Sequence, residues 1–105
     1  MKQVRLHRRA VLDIEEAAAY YQAEAEKGVA ESLARAVEAQ LLRIAEFPAL
    51  GPLGFALELG MPQRRSSSVV SFPFIIFYME TCRNVNIVRV LHNSRDIPAA
   101  FRLGE

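Results

Sequence analysis

The sequence predicts an α+β domain: an N-terminal strand, an antiparallel helical hairpin, then a three-stranded antiparallel meander. The helices pack on one face of a mostly antiparallel four-stranded sheet. Three observations carry this. Apolar residues recur at helical spacing through the first half of the chain. Short β-branched and aromatic runs fill the second half, flanked by turn residues. The helical and strand segments are segregated along the chain, which favours helices layered on a sheet.

The first element is a short strand at Gln3 to His7. Val4 and Leu6 alternate with Gln3, Arg5 and His7, which gives one apolar face. So short a strand must pair with a later one. A helix follows from Arg8 or Arg9 to about Lys27, with Val11, Ile14, Ala18, Tyr21 and Ala25 along one stripe. Asp13, Glu15 and Glu16 lie in its early turns, where the helix dipole favours negative charge. Its N-cap is unclear, because His7-Arg8-Arg9 offers no serine, threonine or aspartate. Gly28 is a natural stop.

The second helix runs from about Val29 to Phe47, with Leu33, Val37, Leu41 and Ile44 as its stripe and Pro48 at its end. The short Gly28 connection makes the two helices antiparallel neighbours. Residues 49–54 are turn-rich, and Phe55 to Gly60 reads as a loop with one helical turn. An edge strand lies within Gln63 to Ser71, with Pro73 opening the next. Phe74-Ile75-Ile76-Phe77-Tyr78 and Val85 to His92 form a hairpin around Thr81-Cys82-Arg83-Asn84. The last strand is apolar on both faces, as a central strand should be. Ile97 to Phe101 reads as a short helical or irregular tail. No repeat or linker divides the chain, so residues 1–105 form one domain.

Composition excludes several functions. The net charge of +1 gives no general polycation for nucleic-acid binding. The single cysteine, Cys82, excludes an internal disulfide and a cysteine metal cluster. No zinc-ligand spacing, glycine-rich phosphate loop or serine-nucleophile setting occurs, so no metal, cofactor or small-molecule substrate is expected. No apolar run reaches membrane-span length, and the N-terminus lacks the apolar stretch of a signal peptide. A cytoplasmic protein with no membrane contact is expected.

The polar residues around the sheet are the candidate site. Residues 53–105 carry six basic groups, all arginine, the side chain suited to bidentate contact with carboxylate or phosphate. Arg64, Arg65, Arg89, His92, Arg95 and Asp96 form a candidate polar cluster, functional or structural. In the structural alternative, Arg89 and Asp96 pair to fix the tail, and His92 hydrogen-bonds at the strand end. Arg65 is either a solvated edge charge or a partner contact. The acidic residues Glu15, Glu16, Glu24 and Glu26 read as a solvated face, and Tyr20 and Tyr21 cannot both point inward.

In joint order and spacing these pieces resemble the RelE/ParE superfamily of type II toxin–antitoxin toxins, its ParE-like branch in particular. The matching residues are Ala10, Asp13 and Ile14, then Glu46-Phe47-Pro48-Ala49-Leu50-Gly51, Arg65, Pro73 to Tyr78, and Arg89-Val90-Leu91-His92-Asn93-Ser94-Arg95-Asp96. The resemblance implies a toxin that poisons DNA gyrase without catalysis, in systems that stabilise plasmids. It implies a cognate antitoxin, ribbon-helix-helix and ParD-like, which forms a hetero-oligomer with the toxin and is its only contact with DNA. The antitoxin-binding residues are not legible. RelE-like members share the fold and cut mRNA on the ribosome. In that alternative the catalytic set is His92, Arg65 and Arg89, with Tyr78 a poor second proton donor. No base is evident: Glu58 lies in a loop, and Asp96 pairs more simply with an arginine. A third alternative is a non-toxic relative that only binds an antitoxin.

Overall fold

The structure is a computed structural model. It describes residues 2–51, 64–94, 97, 99 and 100. Among these the order is β1 (Gln3–Leu6), α1 (Arg8–Glu24), α2 (Val29–Glu46), a 3-10 turn (Pro48–Leu50), β2 (Arg65–Ser68), β3 (Phe74–Glu80) and β4 (Asn84–His92). The strands form one mixed sheet in the order β1-β4-β3-β2. β4 runs parallel to β1 and antiparallel to β3, and β2 is antiparallel to β3.

α1 starts without a side-chain cap, since His7 makes no capping hydrogen bond. Its buried face differs from the predicted stripe. Ala10, Asp13 and Ala17 are buried, and Ile14 and Tyr21 pack at their margin. Small alanines let α1 approach the sheet closely, which a stripe drawn through the larger residues missed. Gly28 starts α2 rather than stopping α1, which ends at Ala25. Its φ of 92° lies in the left-handed region, where a side chain would be strained. α2 buries Leu33, Val37, Gln40, Ile44 and Ala45, and Leu41 packs beside them. Burying each large aliphatic of this set stabilises by about 1.5–3 kcal/mol.

Two apolar clusters sandwich the sheet. Leu33, Val37 and Ile44 of α2 meet Ile76, Tyr78, Val85, Ile87 and Val90 on the helical face. On the other face Phe77, Leu91 and Ile75 are covered by Ile97 and Ala100. β4 is therefore apolar on both sides because the C-terminal segment closes its second face. β1 buries less than predicted. Val4 packs on the core, while Leu6 is 43% exposed. Tyr21 meets Phe72 and Phe74 edge-on, and Tyr20 is 63% exposed. Phe55 to Gly60 and Phe101 lie outside the described residues.

Candidate functional site

The most buried polar assembly joins α1 to β4. Arg89 Nε donates to Asp13 Oδ2 at 2.7 Å, and Arg89 Nη2 donates to Asp13 Oδ1 at 3.0 Å. Both side chains are 2% exposed. The two parallel bonds match the planar fork of guanidinium to carboxylate. Asp13 Oδ2 also accepts from the backbone N–H of Val90 at 3.0 Å.

The sheet explains that third bond. β1 pairs with β4 only as far as Leu6 opposite Ile87, and His7 N then donates to Ile87 O. Beyond that point no described strand pairs with β4 on this side. The Val90 amide faces the vacated edge, and a buried amide must find an acceptor. Asp13 supplies it from the helix that follows β1. Arg89 Nη1 additionally donates to Ala100 O at 3.3 Å. One guanidinium thus ties helix, sheet and C-terminal segment together. The sequence suggested Asp96 as the partner of Arg89; in the structure the carboxylate is Asp13, and Asp96 lies outside the described residues. The signal was present: Asp13 sits three residues after Ala10 and four before Ala17, on the buried line.

A second assembly closes the other end of the sheet. Arg65 pairs across the ladder with Tyr78. Arg65 Nη1 donates to Gly51 O at 2.6 Å, and Tyr78 Oη donates to Pro48 O at 2.7 Å. Both side chains hold the 3-10 turn against the sheet. A Cβ on Gly51 would overlap the Tyr78 hydroxyl and lie 2.8 Å from Ser66 O, so the close approach requires glycine here. Burial pushes the Tyr78 phenol above its ordinary range, and Glu80 adds to this. The Gly51 backbone and Arg65 oppose the shift. Burial also lowers the Arg64 guanidinium from its usual value. Gln40 Nε2 donates to Ser67 Oγ at 2.6 Å and ties α2 to β2.

His92 ends β4, opposite Phe74. Its ring meets Phe74 edge-on at 5.3 Å. Its Nδ1 accepts from Ser94 N at 3.1 Å and lies 2.7 Å from Ser94 Oγ. Arg65 is opposite Tyr78, four residues from Phe74 along β3, which is roughly 14 Å at about 3.4 Å per residue. Arg65, Arg89 and His92 are therefore not gathered around one point: one serves the 3-10 turn, one is buried against Asp13, and one closes the strand end. Arg95 and Glu58 lie outside the described residues. Among the described residues no group of three or more His, Cys, Asp or Glu could hold a metal ion. Among them, too, no helix is long and apolar enough to cross a membrane.

Sequence reasoning did not single out the cleft between the end of α2 and β2. It encloses about 270 Å³ and is lined by Gln40, Arg43, Phe47, Gly51 and Ser66 to Ser68, among others. A shallower groove on the outer side of α2 exposes Leu42 and Val70.

A helical hairpin on one face of a mixed four-stranded sheet, entered by a parallel N-terminal strand, is the architecture of ParE-like toxins. A solved chain described as "Chromosomal ParDE TA system from P. aeruginosa" superposes with a TM-score of 0.74 at 15% identity, over 88% of this chain and 96% of that one. No curated protein matches the chain. The family model "ParE toxin of type II toxin-antitoxin system, parDE" matches residues 4–97, and the chain belongs to that family.

Proposed function

We propose that the protein is a cytoplasmic toxin that inhibits DNA gyrase by binding it. In this reading a cognate ParD-like antitoxin of the ribbon-helix-helix kind keeps it inactive. Membership of the ParE toxin family supports the toxin and antitoxin parts of this reading.

The observation that favours binding over RNA cleavage is where the arginines are spent. Cleavage by a 2′-hydroxyl needs an acid, a base and cations converging on one phosphate. Arg89 is 2% exposed and locked to Asp13, so it has no face to offer a phosphate. Arg65 is committed to the Gly51 carbonyl. His92 Nδ1 is engaged by Ser94.

Purified toxin added to gyrase on relaxed plasmid tests this directly. Loss of supercoiling with trapped cleaved DNA is the expected result. Unchanged supercoiling at large toxin excess overturns the gyrase assignment.

A further inference from the structure

The net charge of +1 conceals an uneven distribution. Lys2, Arg5, Arg8 and Arg9 all precede the first acid of the chain, Asp13. Val4 packs on the core, so the alternation of a strand turns Gln3 and Arg5 to the opposite face of the sheet. The register sets Gln3 beside Asn84 and Arg5 beside Asn86, and Arg83 lies one residue before Asn84 in the turn. Gln3, Arg5, His7, Arg8 and Arg83 are exposed. Arg83 stands level with Lys2, so Arg83, Arg5 and Arg8 follow one line, about 20 Å long at about 3.3 Å per residue.

These three arginines are not braces. Lys2 is held by Glu80 at 2.6 Å, Arg9 lies 3.9 Å from Asp13, and Arg89 is locked to that same carboxylate. The side chains of Arg5, Arg8 and Arg83 make no hydrogen bond or ion pair with a described residue. Glu15 and Glu16 begin seven residues after Arg8, about 10 Å along the helix axis. Arg8 also opens a helix whose first turn has no acid and no capping bond. A cation there opposes the helix dipole, and an anion alongside relieves the conflict.

A line of guanidiniums with asparagine and glutamine beside it suits a phosphate backbone, which asks only for charge and hydrogen-bond donors. Its length matches about six phosphates of one DNA strand at about 3.4 Å of axis each. An acidic peptide would also need an apolar anchor. Leu6, the large exposed apolar side chain of β1, has the parity of Val4 and belongs to the other face.

We propose that Arg5, Arg8 and Arg83 grip the phosphate backbone of duplex DNA without reading its sequence. The toxin then touches DNA itself, beyond any contact made through an antitoxin. The use of this grip on the DNA held by gyrase rests on the gyrase reading above.

The probe is a fluorescent DNA duplex of about 20 base pairs, titrated with the full-length toxin between about 50 and 200 mM salt and read by anisotropy. Three phosphate contacts give a slope of log K against log salt of about −3, a loss of roughly fortyfold over that range. Arg5→Ala with Arg8→Ala should bring the slope to about −1, and Arg83→Ala alone to about −2, which keeps the test alive if the double variant misfolds. Duplexes of unrelated sequence should bind alike. In the gyrase assay the double variant should trap less cleaved DNA than wild type. Absence of wild-type binding at low salt, or equal slopes in all three proteins, overturns the proposal whatever gyrase does. The expected slopes with supercoiling untouched by wild type support the DNA grip and overturn the gyrase reading. Tighter binding of an RNA duplex assigns the line to RNA, and displacement of DNA by polyglutamate at equal charge assigns it to an acidic peptide. Either result overturns the proposal.

Discussion

Replacing Asp13 by alanine removes three hydrogen bonds at once and strands a buried guanidinium. The two Arg89 bonds and the Val90 bond all end on this carboxylate. Arg9, at 3.9 Å from Asp13 Oδ1, is a further cation and no substitute acceptor. Breaking a buried pair by removing one member costs about 3–5 kcal/mol, because the remaining charge stays desolvated. The orphaned Val90 amide alone carries about 1–3 kcal/mol. These overlap and do not simply add, so the loss should be about 4 kcal/mol. That is a large share of the roughly 5–15 kcal/mol of stability an ordinary domain has.

The companion variant separates charge from packing. Asp13→Leu with Arg89→Met fills the site with apolar side chains and removes the partners of the Val90 amide and the Ala100 carbonyl. It should lie within about 1–3 kcal/mol of wild type. Urea unfolding followed by far-UV circular dichroism reads both. With a slope of about 2 kcal/mol per molar, Asp13→Ala should move the midpoint down by about 2 M. A shift under about 0.5 M, or a double variant no better than the single, would refute the assignment of this pair as the clamp between helix and sheet.

Three other perturbations probe the rest of the fold. Gly51→Ala should destabilise by about 1–3 kcal/mol through overpacking on the Tyr78 hydroxyl and Ser66 carbonyl, and Tyr78→Phe should relieve part of that loss; thermal melts of the single and double variants check it. The Tyr78 phenol is raised in the folded state from 10.0, so the folded form holds its proton more tightly than the unfolded chain. This contribution is whole below pH 10.0 and declines as pH rises through that value toward the higher folded one. Wild type should therefore lose more stability than Tyr78→Phe between about pH 9 and 11; parallel curves in urea would contradict the burial of the phenol. Ser71 holds a φ of 70°, so Ser71→Gly should gain up to about 1 kcal/mol, seen as a higher urea midpoint.

Much of this architecture was legible because its signals are local. Leu33, Val37 and Ile44 repeat at helical spacing, Pro48 stops the helix, and the runs around residues 81–84 alternate as paired strands. The order of elements followed from these alone. What stayed hidden depends on long-range geometry. Asp13 read only as an early-turn acid favoured by the helix dipole, because nothing near it in the chain shows that β1 ends short and leaves an amide of β4 without a strand partner. Its partner is 76 residues away. An arginine inside an apolar strand is itself a demand for a buried carboxylate, and the alanines flanking Asp13 at helical spacing mark where that carboxylate stands. Gly51 likewise read as a generic turn residue. Only the approach of Tyr78 and Ser66 shows why no side chain fits. The arginines that looked like a phosphate clamp were distinguishable from internal braces only once their partners were known.

Expression of His92→Ala beside wild type, scored for growth arrest, DNA-damage response and mRNA integrity, bears on the central claim most directly. The account predicts that the variant arrests growth as wild type does, with a DNA-damage response and intact messages. Cleaved mRNA under wild type, with arrest abolished in a folded His92→Ala protein, would contradict it.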